Sequence, residues 1–229
     1  FIAQGNEKYR SRIGGRGILL AFCLTEPNAG SDAASIKTRA VRKGDVFVLN
    51  GTKSFVTNGG VADLYCVVTV TDPTKGARGG MTNFLVEPDM PGFSVSRVED
   101  KMGLHGSQTA QLVFEDVEVP RENMAGEEGN GFRHLMGIFD GSRIVVGAAG
   151  VGVAQGALDL AVQYAKERVQ FGQAIAEFQG IQFMLADLAM QVESARALTY
   201  KAAALFDAGE KEAAIPLASM SKCLGSDAG

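Results

Sequence analysis

The sequence predicts an α+β protein in which an antiparallel β-barrel or β-sandwich is followed by part of an up-and-down α-helical bundle. Between residue 18 and about residue 120, short stretches of β-branched and aromatic residues are separated by turn residues, as in antiparallel β-folds. From Phe132 onwards, apolar residues recur three or four positions apart, as on one face of an α-helix. We therefore expect a lead-in over residues 1–17, a β-domain over 18–125 and a truncated helical domain over 126–229.

Several stretches of the β-domain have the composition and length of strands. The strands predicted after the first apolar run, Ile18 to Leu24, are Asp45–Asn50, Leu64–Val70, Met81–Val86, Phe93–Val98 and Gln111–Val119. The second and third of these are continuous apolar runs that suit buried strands, and the last two alternate between apolar and polar residues. Asn50-Gly51 is a dipeptide that strongly favours a hairpin turn, so we expect the chain to reverse there.

The helical domain has one strongly periodic segment. Its predicted core face consists of Phe178, Ile181, Leu185, Leu188, Val192 and Ala195. Phe183, Met184 and Met190 give the same helix a second apolar side, which predicts more than one packing neighbour. Asp207-Ala208-Gly209 is a natural stop, after which another alanine-rich helix begins.

The glycines between Gly147 and Gly156 imitate a dinucleotide-binding fingerprint. That motif requires G-x-G-x-x-G directly after a strand, but here three residues separate Gly152 from Gly156 and a helical pattern precedes them. Small residues repeated along a helix favour close helix packing instead, and we prefer that interpretation.

Composition excludes several classes of protein. A net charge of −4 argues against nucleic acid or an anionic membrane as the main partner. No apolar run approaches the roughly 20 residues of a membrane span. Three widely spaced cysteines and two histidines form neither a disulfide framework nor a metal site, which fits a reducing compartment. The chain starts at Phe1 rather than methionine, so we expect an internal segment of a longer protein, from which no targeting peptide can be read.

The segment Thr25–Asp32, directly after the first apolar run, is the strongest candidate for a binding loop. Glu26 precedes Pro27 and is therefore pushed towards extended geometry, and Asn28, Gly30 and Asp32 favour a tight turn. Such a turn exposes backbone N–H groups that suit a phosphate, a carbonyl or the edge of a heteroaromatic ring. From these residues alone, a plain surface turn is the alternative.

Motifs along the chain resemble, in their order, those of the acyl-CoA dehydrogenase family. They are Leu24–Asp32, Asn50–Gly60, Lys101-Met102-Gly103, Phe114–Pro120, Phe139-Asp140 with Arg143, and Glu167-Arg168 with Phe171-Gly172. Each is weak alone, but their number and order are specific, and they extend from about Phe22 to the end of the chain. The resemblance implies a middle β-barrel domain between two helical domains, the first absent here and the second truncated.

The resemblance also implies a chemistry, the FAD-dependent α,β-dehydrogenation of an acyl-CoA thioester, as in fatty-acid β-oxidation. A base removes the α-proton while hydride leaves the β-carbon for the flavin N5. The residues implied to bind the cofactor are Phe22, Cys23, Leu24, Thr25, Gly30, Ser31, Phe55, Val56, Thr57, Arg168, Phe171 and Gln179. Many relatives have tryptophan where this chain has Phe55, so the stacking surface persists but the indole N–H does not. Phe55 can equally be an ordinary core residue.

The substrate contacts implied by the resemblance are Ser31, Phe139, Asp140 and Arg143. Asp140 and Arg143 lie three positions apart and share a helix face, so without the resemblance they indicate a solvated ion pair. With it, Arg143 is a fixed cation that steers the ligand, and Asp140 contacts the CoA portion.

The resemblance implies an assembly as well. Arg168, Phe171 and Gln179 match positions that reach the FAD of a neighbouring subunit, which implies a homo-oligomer, commonly a homotetramer arranged as a dimer of dimers. Electron-transfer flavoprotein is the implied electron acceptor. The expected location is the cytoplasm of a bacterium or the mitochondrial matrix of a eukaryote.

We expect the catalytic base to lie outside these residues. Most members of the family place the glutamate far towards the C-terminus, and a few place it directly before the arginine of the Asp–Arg pair. Here that position is Ser142, which has no proton affinity suited to a base. The alternative is a non-catalytic homologue that binds flavin or CoA as a binding or structural subunit.

Overall fold

The structure, a computed structural model, describes residues 8–9 and 17–229 of the chain. Most of the predicted lead-in therefore lies outside the described residues. The chain divides into two compact units, Phe1–Leu135 and Met136–Gly229. Each unit is described by itself below.

Within the described residues, the first unit contains one sheet of seven strands. The strands are β1 (Leu20–Cys23), β2 (Arg39–Lys43), β3 (Val46–Thr57), β4 (Leu64–Val70), β5 (Met81–Val86), β6 (Phe93–Val98) and β7 (Thr109–Pro120), and the short helix α1 (Gly76–Gly80) precedes β5. The strands predicted from the apolar and alternating runs are all present.

The sheet is mixed rather than purely antiparallel. Strands β2–β3, β3–β7, β6–β7 and β4–β5 pair in antiparallel fashion, whereas β1 pairs with β4 in parallel. β4 also meets β2 through the single parallel pair Arg39 and Val70. Because β5 covers one edge of β4, β1 and the start of β2 share the other edge. This arrangement places the turn that follows β1 beside the segment that leads into β2.

The hairpin predicted at Asn50-Gly51 is wrong. β3 runs through this dipeptide without reversing, and the turn lies earlier, at Gly44 and Asp45 between the paired residues Lys43 and Val46. Gly51 serves a different purpose, since a Cβ at this position would collide with the Thr38 side chain. The glycine therefore marks a close approach between chain segments and a register shift in β3, not a turn.

The core of this unit lies on the inward faces of the strands. The rings of Phe47 and Phe84 are in tilted contact, with centroids 4.7 Å apart, and both residues are fully buried. On the other side of β4, the fully buried Tyr9 packs with Leu64 and Cys66. β4 is therefore buried on both faces, which explains why its sequence is continuously apolar rather than alternating.

The second unit consists of helices joined by a small hairpin. The long helix α2 (Gly131–Glu167) starts in the first unit, and β8 (Val169–Gln170), β9 (Gln173–Ala174), α3 (Gln179–Asp207) and α4 (Lys211–Ala228) follow. Gly209, in the left-handed conformation with φ 81°, ends α3 as predicted. Val192 and Ala195 are fully buried, but Phe183, Met184 and Met190 are each more than 60% exposed, so the predicted second apolar side of α3 is not buried among the described residues.

The glycines that imitate a nucleotide fingerprint lie inside α2, in agreement with the helix-packing interpretation. A Cβ on Gly147 would collide with Ser221, and a Cβ on Gly150 would collide with the backbone of Gly225. α2 and α4 therefore cross with their backbones almost in contact. Beside this crossing, the hydroxyls of Thr199 and Ser221 share a buried hydrogen bond of 2.7 Å.

Among the described residues, α2 is also the one helix long and apolar enough to cross a membrane, judged by length and composition only. A core helix of a soluble protein meets the same criterion, so this property alone carries little weight.

The close crossing of α2 and α4 leads to a test with a matched control. We expect Gly150→Ala to lower the free energy of unfolding by about 1–3 kcal/mol, because the added methyl group forces the helices apart. Gly152, also in α2, has open space around its Cβ position, so Gly152→Ala should raise stability by about 0.5–1 kcal/mol. Urea unfolding measures both. A Gly150→Ala protein as stable as the Gly152→Ala protein would contradict the close crossing.

Candidate cofactor and ligand site

The turn after β1 is closed by backbone hydrogen bonds at its two ends. Glu26 and Ala29 exchange reciprocal N–H to carbonyl bonds of 3.0 and 3.1 Å. The carbonyl of Thr25 accepts a 2.8 Å bond from the N–H of Ser54, which joins the turn to the middle of β3. The predicted binding loop is therefore an ordered turn fastened to the sheet.

A buried ion pair lies directly beneath this turn. Lys53 Nζ and Glu26 Oε1 are 2.8 Å apart, and the two side chains are 0% and 7% exposed. The lysine also donates a 3.0 Å bond to the carbonyl of Leu24. The carboxylate accepts further bonds from the backbone N–H groups of Lys37 (2.7 Å) and Thr38 (2.9 Å). The ammonium thus donates two hydrogen bonds and the carboxylate accepts three, which compensates much of the cost of burying both charges.

The surroundings shift both pKa values downwards. Burial by itself would raise the pKa of the Glu26 carboxyl, but the charge of Lys53 and the hydrogen bonds together outweigh burial and hold the pKa below its usual value. Burial lowers the pKa of the Lys53 ammonium, and the charge of Glu26 offsets that effect only in part. The Glu26 carboxyl is therefore ionised at neutral pH, and the charge of Lys53 stabilises this ionised form.

A β-bulge presents Phe55 to the outside of the sheet. Lys53 pairs with Leu112 and Val56 with Ala110, so two residues of β3, Ser54 and Phe55, oppose one residue of β7. Phe55 adopts φ 54° and is 65% exposed. An aromatic residue in this conformation is strained, and such strain is concentrated at functional sites. The bulge thus makes Phe55 an exposed aromatic surface and excludes the alternative that it is a core residue.

The residues predicted to bind a cofactor divide by exposure. Cys23 and Val56 are fully buried in the core, so only their backbone could contact a bound molecule. Burial also raises the pKa of the Cys23 thiol, which makes it unreactive. Outward-facing or half-buried positions are Phe22, Leu24, Thr25, Gly30, Ser31, Phe55 and Thr57. Together they combine two aromatic rings with three hydroxyl groups and suit a planar heteroaromatic group.

A small pocket of about 240 Å³ opens beside the turn. Its lining includes Glu26, Asn28, Lys37 and Thr52.

The described residues include no cluster of three or more His, Cys, Asp or Glu side chains that could hold a metal ion.

In the second unit, Asp140 and Arg143 lie on one face of α2, with Asp140 Oδ1 3.7 Å from Arg143 Nη1. Both side chains are partly exposed, so the guanidinium keeps donors for a further anionic partner. Ser142 donates its hydroxyl to the carbonyl of Phe139 at 3.3 Å, which is a local helix bond. Phe139, Asp140 and Arg143 are thus close together, as one helical turn requires.

The hairpin of β8 and β9 presents Phe171 at its tip. Phe171 and Gly172 form a two-residue turn with φ values of 53° and 81°, and Phe171 is 95% exposed. Positive φ at both positions matches the right-handed twist of a hairpin. The Phe171 ring meets Phe178 edge to face at 6.2 Å. Arg168, just before β8, and Gln179, the first residue of α3, are exposed as well.

The ion pair of Glu26 and Lys53 was not found by the sequence analysis, although both residues lie in the motifs. A lysine is almost never fully buried unless it is paired, but burial of position 53 cannot be read from the sequence. The β-bulge at Ser54 and Phe55, directly after Lys53, interrupts the alternation that would have shown which face of the sheet Lys53 occupies. A glutamate and a lysine 27 positions apart give no periodic signal either.

Comparison with known proteins identifies both parts of the chain. Residues 21–117 match the model of the acyl-CoA dehydrogenase middle domain, and residues 129–229 match that of the acyl-CoA dehydrogenase C-terminal domain. The two matches follow each other in the order of the β-unit and the helical unit.

Individual proteins are similar over nearly the whole chain. The cyclohex-1-ene-1-carbonyl-CoA dehydrogenase of Syntrophus aciditrophicus is 50% identical over 222 residues, which cover 96% of this chain and 53% of the relative. The structure of butyryl-CoA dehydrogenase from Megasphaera elsdenii superposes with a TM-score of 0.85 at 50% identity, over 92% of this chain and 55% of that one.

A chain in a structure of the electron transferring flavoprotein of Acidaminococcus fermentans gives a TM-score of 0.89 at 49% identity, over 97% of this chain and 58% of that one. The chain spans about half the length of the curated relatives it matches.

The buried ion pair predicts a specific pH dependence. At pH 7, Glu26→Gln should lower the free energy of unfolding by about 3–5 kcal/mol, because the Lys53 charge is left buried without a partner. The folded pKa of Glu26 lies below its usual value of 4.5. Its contribution is therefore complete above pH 4.5 and is lost as the pH falls through the folded value. The difference in the free energy of unfolding between wild type and Glu26→Gln should therefore decrease as the pH falls below 4.5.

The control is Glu99→Gln, which removes an ion pair of the same 2.8 Å length whose arginine, Arg97, is 61% exposed. Its effect should stay below about 1 kcal/mol. Urea unfolding at pH 7 and below pH 4.5 measures both variants. Equal stability of wild type and Glu26→Gln at pH 7 would show that the pair contributes nothing.

Proposed function

Because this chain belongs to the acyl-CoA dehydrogenase family, we propose that the complete protein is an FAD-dependent enzyme that introduces a double bond between the α and β carbons of an acyl-CoA thioester. The observation that carries the proposal is the exposed, strained Phe55 beside a turn rich in hydroxyl groups. An exposed aromatic ring in a strained conformation does not stabilise the fold. Together with the neighbouring hydroxyl groups, it suits the binding of a planar redox cofactor.

The residues of the β-unit fit a flavin. Phe55 offers a ring face for stacking, and Thr25, Ser31 and Thr57 offer hydroxyls that both donate and accept hydrogen bonds. Gly30 has open space around its Cβ position, so the backbone of the turn can be approached closely. When bound, the flavin supplies the two-electron acceptor that the reaction needs, and the protein holds it in place.

On the helical unit, Arg143 serves as the fixed cation for the CoA ester, and Asp140 keeps its guanidinium oriented. Their 3.7 Å separation fits orientation better than a tight pair that would use up the arginine's donors. Phe139, on the same turn, adds an apolar contact. Of the two positions at which the family is expected to carry its general base, the one within this chain is Ser142, which cannot act as a base. We therefore propose that a carboxylate outside residues 1–229 takes the α-proton.

The exposed Phe171 and the neighbouring Arg168 and Gln179 are proposed to reach a flavin held by another subunit, which makes the enzyme a homo-oligomer. A ring that is 95% exposed on a strained turn is costly in water, which supports a partner surface for it. Electron-transfer flavoprotein is the proposed electron acceptor. A structure described as that of such a flavoprotein contains a chain 49% identical to this one, which supports an association of the two proteins. A short or cyclic acyl group is the proposed substrate, because similar proteins are named for butyryl-CoA and cyclohex-1-ene-1-carbonyl-CoA.

The first test of this function is spectroscopic. The complete protein should purify yellow, with one FAD per subunit, and anaerobic butyryl-CoA or cyclohexene-carbonyl-CoA should bleach the flavin absorbance as the cofactor is reduced. A protein that binds FAD but stays oxidised with every acyl-CoA tested would be the non-catalytic homologue. A protein without FAD affinity would refute the proposal.

The second test concerns the cation on α2. Arg143→Ala should reduce kcat/KM for acyl-CoA about ten- to a hundred-fold, because a charged contact contributes about 1.5–3 kcal/mol. The flavin content should stay unchanged. Arg196→Ala is the control, since Arg196 also forms an i,i+3 pair, with Glu193, on α3. It should leave turnover as in the wild type. Unchanged kinetics in Arg143→Ala would make Arg143 an ordinary surface residue.

A further inference from the structure

The ion pair of Glu26 and Lys53 connects three chain segments. Lys53, in β3, donates to the carbonyl of Leu24, the residue directly after β1, and to the carboxylate of Glu26 in the turn. Through that carboxylate it is connected to the N–H groups of Lys37 and Thr38, just before β2. Each of these groups is next to, or within two residues of, a position proposed to contact the flavin or the pocket beside the turn.

We infer that Glu26 and Lys53 are positioning residues for the flavin, which hold Thr25 and Phe55 in the geometry that the ring requires. The inference rests on the proposed function. Both side chains are buried beneath the turn, and of the two only Glu26 is among the residues that line the pocket beside it. They act through their neighbours, Glu26 through Thr25 and Lys53 through the bulge that carries Phe55.

The bulge explains why positioning is needed at this point. Ser54 gives its N–H to Thr25 instead of to β7, so the strand has left its ladder where Phe55 begins. A strained residue such as Phe55 keeps its conformation only where the surrounding structure fixes it from several sides. Lys53, one residue before Ser54, is the side chain that fastens this part of β3 to the turn.

The chemistry of the pair supports positioning over simple packing. Replacing a buried ion pair by apolar residues of similar volume is often neutral or stabilising, so charge is not needed to fill the space. A carboxylate that accepts three bonds and an ammonium that donates two instead fix the directions of five groups. Directional bonds hold a site within the small tolerance that cofactor binding demands.

The test uses the double variant Glu26→Gln/Lys53→Met in the complete protein. It leaves no unpaired buried charge, so it should be more stable than either single variant. FAD should nevertheless bind about tenfold more weakly or worse, since Leu24 and one of the two backbone amides lose their partners. The absorption and circular dichroism bands of the remaining bound flavin should shift.

The control is Leu85→Ala, which empties space in a separate part of the core, with Tyr9 and Cys66. It should lower the melting temperature while FAD affinity stays within about twofold of wild type, since a cavity costs stability locally. A double variant that binds FAD as wild type does, with an unshifted spectrum, would overturn the inference. So would a Leu85→Ala protein with the same loss of affinity.

Hydrogen exchange of the protein without cofactor provides a second, independent measurement. In wild type, the amides of Lys37 and Thr38 should exchange as slowly as those of β4, and in the variant faster exchange should be confined to residues 24–38 and 53–57. Fast exchange of these amides in wild type would contradict the inference, even if the variant does not fold. A wild-type protein without FAD affinity refutes the proposed function instead, which separates the two failures.

Discussion

The buried ion pair between Glu26 and Lys53 is the constraint on which the candidate site depends. Two charges without access to water are stable only when their hydrogen-bonding groups are satisfied, and here the partners come from the turn directly after β1, from β3 and from the segment before β2. Those segments must therefore meet at one place. The parallel pairing of β1 with β4, which brings the start of β2 to the same edge, provides that meeting point.

The strained conformation of Phe55 depends on the hydrogen bonds that fix the backbone directly before it. An exposed aromatic residue at φ 54° would relax in a loosely held strand, but the bonds of Ser54 and Lys53 fix the backbone just before it. The site thus combines a rigid, charged layer below the turn with an apolar and hydroxyl-bearing surface above it. A cofactor that binds to such a surface requires little reorganisation of the protein, which favours affinity.

In the helical unit, the main constraint is the close approach of the α2 and α4 backbones. Gly147 and Gly150 allow α2 to pack almost backbone to backbone against Ser221 and Gly225 of α4. Large apolar side chains such as Phe183 and Met184 remain exposed on α3. Small residues thus make the closest helix contact in this unit, and several large apolar residues of α3 face outwards, an arrangement suited to further helices or subunits.

The sequence by itself determined most of the strands, although not β2 or the β8–β9 hairpin, together with the helical second part, the stop at Gly209 and the family, because these depend on local periodicity, turn residues and ordered motifs. It placed Phe55 and the Thr25–Ser31 turn among the candidate residues for the same reason. The tertiary structure alone decided that β3 continues through Asn50-Gly51, that Phe55 is turned outwards by a bulge, and that Lys53 is buried on Glu26. Register shifts and long-range ion pairs depend on which strands become neighbours in space, and no pattern within a single strand contains that information.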